Sequence, residues 1–185
     1  MNRSCILVLS ALLSCTVSGD SFSRGDKIDE LHGVAIFYNG DTGSTSGRNL
    51  SDDGYNLGLK YQCVEFVKRY YFERFNHRMK ETYGHARDFY DSNVEDGQVN
   101  KDRGLIQFSN GSVSKPAVGD LIVFGSSPFN VYGHVAIVSS INKRTIEIAQ
   151  QNAGYFSSRV SIPIVSVGEK WFVSDPRTLG WLRKE

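Results

Sequence analysis

Tyr61-Gln-Cys-Val-Glu-Phe-Val-Lys-Arg-Tyr-Tyr-Phe-Glu-Arg-Phe75 decides how the rest of the chain is read. Val64, Phe66, Val67, Tyr70, Tyr71 and Phe75 recur near helical spacing, with Glu65, Lys68, Arg69, Glu73 and Arg74 between them. That pattern predicts an amphipathic helix over Gln62 to Phe75 with one apolar face and one charged face. Upstream, Gly40, Gly43, Gly47, Gly54 and Gly58 alternate with Ser, Thr, Asn and Asp, which reads as a long exposed loop. Downstream, a weaker helical pattern covers Tyr83 to Asn93.

Past Gly104 the period becomes that of strands. Asp120-Leu-Ile-Val-Phe follows Pro116 and Gly119, and His134-Val-Ala-Ile-Val-Ser-Ser-Ile follows Tyr132-Gly133. Thr145-Ile-Glu-Ile-Ala-Gln comes after a polar turn, so it forms a hairpin with the preceding strand. Lys170-Trp-Phe-Val and Leu179-Gly-Trp-Leu supply two more strands. The expected class is α+β, with one or two N-terminal helices packed on an antiparallel sheet.

The chain has 185 residues, with 21 Lys and Arg against 20 Asp and Glu. Such a length suits one domain with its own core. The near-neutral balance argues against a nucleic-acid binder, which would show a basic excess. A monomer is expected. Met1-Asn-Arg followed by the uncharged run Ser4 to Leu13 has the size of a signal-peptide core. A membrane-spanning helix needs roughly 20 apolar residues. Leu12-Leu13-Ser14-Cys15 resembles a lipobox, with cleavage before Cys15 and a lipid on its sulfur, although Ser14 stands where the box prefers Ala or Gly. A plain secretory signal cut near Ser18 or Gly19 is the alternative. The chain is therefore expected to be exported to the periplasm or cell envelope, touching membrane only through such an anchor.

Export sharpens the cysteine count. Cys5 leaves with the signal and Cys15 is capped or removed, so Cys63 is the one free thiol of the mature chain. At the start of a helix it faces unpaired N–H groups and the positive end of the dipole, which favour the thiolate. The same N–H groups can hold the oxyanion of a tetrahedral intermediate. His134, opening a strand after a glycine, is the candidate base. The adjacent strand ends in Gln150-Gln151-Asn152, where a residue that orients the imidazole belongs. Among His32, His77, His85 and His134 no helical pair suits zinc, and the glycine-rich stretch lacks a phosphate-binding Lys-Ser/Thr ending. No metal or other cofactor is expected.

Tyr61-Gln-Cys-Val-Glu-Phe-Val-Lys-Arg, Val118-Gly-Asp-Leu-Ile-Val-Phe, Gly133-His-Val-Ala-Ile-Val and Ile148-Ala-Gln-Gln-Asn resemble, in order, the signature blocks of the CHAP family, the cysteine, histidine-dependent amidohydrolases/peptidases. The likeness is greatest to its glutathionylspermidine-amidase type, whose tail Leu179-Gly-Trp also resembles. It implies a papain-like fold over 33–185, preceded by a signal peptide at 1–14 and an N-terminal segment or linker at 15–32. It implies Cys63 as nucleophile and His134 as general base. Where the family has an acid to orient the histidine, this chain has Gln150, which can accept an Nδ1–H bond but lends the imidazolium no charge. Glu147 sits three residues away and points to the opposite face of a regular strand, whereas Asn152 shares Gln150's face. Gln62, Glu65, Lys68 and Asn152 are the candidate substrate-binding residues. The implied substrates are the peptide of peptidoglycan or a small amide of the glutathionylspermidine type, and Gln150 also raises a non-catalytic cell-wall binding module.

Overall fold

The computed structural model describes residues 22–80, 84–154 and 157–185. The only α-helix among them, α1 (Cys63–Phe75), begins one residue inside the expected span. Gln62 is its extended N-cap, and it stops at Asn76, whose left-handed φ of 48° turns the chain. There the N–H groups of Asn76 and His77 donate to the carbonyls of Phe72 and Tyr71. The weaker helix at Tyr83 to Asn93 is replaced by a short 3-10 turn at Ala86–Phe89, with Tyr83 itself outside the described residues. Asp88 and Asp91 spend their carboxylates on the N–H groups of His85 and Asn93, bonds that favour turns over a helix interior.

Four strands precede the helix, where a linker and an exposed loop were expected. β1 (Lys27–Leu31) pairs with β2 (Val34–Phe37), and β3 (Arg48–Leu50) pairs with β4 (Asn56–Leu59). β1 lies inside the segment read as a linker and buries Leu31 in the core. The second hairpin lies inside the stretch read as an exposed loop. Gly58 makes its approach to α1 possible: a Cβ there would stand 3.3 Å from the Glu65 backbone, at a φ of +124°.

The remaining strands form one antiparallel sheet: β5 (Gln98–Asn100), β6 (Leu105–Ser109), β7 (Leu121–Phe124), β8 (His134–Ile141), β9 (Thr145–Ala149), β10 (Arg159–Val167), β11 (Lys170–Val173) and β12 (Thr178–Arg183). Their order is β11-β10-β9-β8-β7-β12-β6-β5, a meander from β7 to β11 with β12 returning between β7 and β6. Alternation divides the core. Leu121, Val123, Val135, Ile137 and Ala149 pack against Phe66, Val67, Tyr70 and Tyr71 of α1. Ile122, Phe124, Ala136, Val138, Ile146, Ile148 and Trp181 form a second cluster on the other face. Among the described residues the fold is mostly sheet with a single α-helix, rather than helices layered on a sheet.

Candidate active site

Cys63 is the first residue of α1 and is half-buried. Its sulfur lies on three backbone N–H groups: its own, that of Val64 and that of Val135 on β8. These favour the thiolate, as expected at a helix start. Desolvation outweighs them and pushes the thiol pKa up to about 11. The expected lowering does not occur, because the sulfur sits under the sheet instead of facing water.

His134 opens β8. The preceding Gly133 has a φ of +73°, and a Cβ there would fall 2.4 Å from the Phe124 carbonyl oxygen, so glycine alone lets the strand begin here. The imidazole Nε2 is 3.1 Å from Gln150 Oε1, and Gln150 Nε2 donates to the Ser157 carbonyl at 2.9 Å. The second bond orients the amide, so the oxygen faces the ring and Nε2 must carry the proton. The bond thus runs through Nε2, where Nδ1 was expected, and Nδ1 keeps its lone pair. Phe124 stacks on the ring with centroids 6.1 Å apart. Burial lowers the imidazole pKa to about 4; the Gln150 bond raises it and the positive charge of Arg177 lowers it further.

Among the described residues no hydrogen bond joins the Cys63 sulfur to the His134 ring. The sulfur meets the β8 backbone one residue further on, at Val135. The ring packs towards Phe124 on the face carrying the second cluster.

The four candidate substrate-binding side chains are engaged within the protein. Gln62 donates through Nε2 to the Ser44 carbonyl at 2.7 Å and accepts from Asn152 Nδ2 at 2.6 Å. Asn152 also donates to the Thr42 carbonyl at 2.8 Å, at a left-handed φ of 58° that turns it away from Gln150's partner. Glu65 is 1% exposed and accepts from Asn49, Arg69 and Gln151. Lys68 is buried too, donating to the Asn56 carbonyl with its ammonium over the Tyr55 ring. The β3–β4 hairpin covers this side of α1, which is why neither charge reaches solvent or a ligand.

Sequence reasoning missed Gln151. Its Oε1 accepts from Phe37 N–H, and its Nε2 serves the Gln62 carbonyl and Glu65, so it ties β2 to α1. Its place between Gln150 and Asn152 was the one available signal. Glu147 bonds Ser139 and Arg159 and stands apart from the imidazole. Buried Asp120 is a turn residue paired with Arg183. Cys15 lies outside the described residues.

The thiol thus stands at a helix start, against the backbone of the antiparallel strand that His134 opens. Residues 52–152 match the CHAP domain family, which is over half of the chain, and the chain belongs to that family. It is 31% identical over 141 residues to a glutathionylspermidine synthase of Crithidia fasciculata, covering 68% of this chain and 19% of that one. It is 34% identical over 107 residues to a trypanothione synthetase of the same organism, covering 58% of this chain and 16% of that one. The bifunctional glutathionylspermidine synthetase/amidase of Escherichia coli (strain K12) is 33% identical over 107 residues, covering 57% of this chain and 17% of that one. The chain spans less than a fifth of the length of these relatives. The solved structure of Ly7917 matches 67% of this chain and 53% of that one with a TM-score of 0.38 at 14% identity, a likeness too slight to build on.

Proposed function

We propose that this chain is an exported cysteine amidohydrolase that cleaves an amide bond in the peptide of peptidoglycan. Membership in the CHAP family and similarity to a synthetase/amidase support a hydrolase acting on amide bonds. The observation that carries the mechanism is the anchored Gln150 amide, which leaves Nδ1 of His134 as a bare base on the residue next to Val135, whose backbone meets the Cys63 sulfur.

In this reading both groups are neutral at rest. A rotation of the Cys63 side chain brings the thiol to Nδ1 while Gln150 holds Nε2, and the imidazole takes the thiol proton as sulfur attacks the carbonyl carbon. The N–H groups of Cys63 and Val64 receive the oxyanion. The imidazolium gives its proton to the leaving amine, and a water activated by the same nitrogen releases the acyl group from the thioester. Export by residues 1–14, with Cys15 as the lipid-bearing terminus, brings the site to the cell wall. Isolated sacculi incubated with the chain lacking its signal should lose amide-linked fragments; undigested sacculi at every pH would remove the substrate assignment.

Similarity to glutathionylspermidine-metabolising relatives favours a second reading, hydrolysis of a small amide of that type. A mass-shift assay on glutathionylspermidine separates the two. The raised thiol pKa and the missing sulfur–imidazole bond favour a third, a non-catalytic wall-binding module. Retention on sacculi without any released fragment would establish it.

A further inference from the structure

We propose that Arg177 docks a carboxylate of the substrate beside His134 and so selects anionic peptides over polycationic amides. The inference rests on the function proposed above and names the substrate chemistry of the same site.

Arg177 ends the turn Asp175-Pro176-Arg177 between β11 and β12. Its N–H donates to Asp175 Oδ1 at 2.9 Å, and Thr178 N–H closes the turn on the Asp175 carbonyl. Pro176 at the second position and an aspartate at the first suit this geometry. Asp175 then takes the guanidinium side-on, through Nε at 3.0 Å and Nη2 at 2.6 Å. That pair fixes the plane of the fork and leaves Nη1 without a hydrogen-bond partner among the described residues, on a side chain 49% exposed. The main chain is held as well, because Gly125 N–H donates to the Arg177 carbonyl at 2.7 Å.

The fork lies against the ring that borders His134. Its Cζ stands 5.6 Å from the centroid of the Phe124 ring, which stacks on the His134 imidazole. Among the described residues, Arg177 is also the charged group whose field reaches that imidazole, where it opposes protonation. The other described contacts of the ring are uncharged: Phe124 from β7 and Gln150 beyond β9. Arg87, in the 3-10 turn against Gly133, binds Ser126 and the Val131 carbonyl and pairs with Asp88. No carboxylate among the described residues contacts the ring. A substrate carboxylate on the Nη1 edge would offset the cation and ease protonation of Nδ1 when the thiol gives up its proton. A polyamine would meet like charge at the same place.

The test is calorimetric binding to the chain carrying Cys63→Ala, so that no cleavage intervenes. The probes are L-alanyl-γ-D-glutamyl-L-lysine amide with the glutamate α-carboxylate free, and the same peptide with that group as a carboxamide. The free acid should bind about tenfold more tightly. Arg177→Gln should bring the ratio to about one, and Arg177→Lys, which keeps charge without the fork, should retain part of it. Equal binding of the two peptides, binding of neither, or an unchanged ratio in Arg177→Gln overturns the proposal. With Cys63 intact, a carboxylate preference without cleavage leaves this inference standing and sinks the hydrolase. Cleavage without preference does the reverse.

Discussion

At neutral pH the His134 imidazole, with its pKa near 4, is unprotonated, and the Cys63 thiol, with its pKa near 11, keeps its proton. Catalysis then needs the neutral base, so kcat/KM should rise with pH through about 4 and stay level through neutrality; a bell centred near neutral pH would point to a preformed ion pair instead. Without substrate, iodoacetamide should alkylate Cys63 more slowly at pH 7 than it does free cysteine, as mass spectrometry of the labelled chain would read. Stability carries the same signs. Between pH 6.5 and about 4 the unfolded chain takes up a proton that folded His134 refuses, so acidification costs stability. Gln150→Glu would set a carboxylate behind the ring and move the acid limb of kcat/KM upward. It would also put that carboxylate against the Ser157 carbonyl, destabilising the fold by about 1–3 kcal/mol in a denaturant titration. That Gln150 meets His134 was legible because each stands in a short local word. Which ring nitrogen meets Gln150 was not, because that depends on Ser157 in a separate loop.

The helix shows where local pattern stops informing. Its period and ends follow from residues 62–76 alone, but the fate of its charged face depends on the distant β3–β4 hairpin and on Gln151. Glu65 and Arg69 form a pair 1% and 7% exposed, and Arg69 reaches on to the Ala35 carbonyl of β2. Removing one partner leaves the other charge buried. Arg69→Met should therefore cost about 3–5 kcal/mol, read as a fall in the urea midpoint. A loss under about 1 kcal/mol would mean that the pair is solvated. An alternation of Glu, Lys and Arg with apolar residues normally marks a wet face, and only the glycine at 58 hinted that another backbone comes close.

Across the whole molecule, β7, β8, β9, β11 and β12 were legible because their apolar runs are local, whereas β10 (Arg159–Val167), which joins β9 to β11, was not. The return of β12 between β7 and β6, and the pairing of β1 with β2, join segments that no local pattern links. β1 also carries Asp29, which pairs with Arg159 of β10 and so ties the N-terminal hairpin to the sheet. A chain beginning at residue 33 loses that strand and ion pair and exposes the core where Leu31 packed. It should melt well below one beginning at residue 22, whereas equal melting temperatures would make β1 dispensable. The decisive measurement of the account is mass spectrometry of soluble fragments released from isolated sacculi. Wild type should release peptides with a newly freed amine and carboxylate, and Cys63→Ala should release none. The same fragments from both proteins, or none from either, would contradict it.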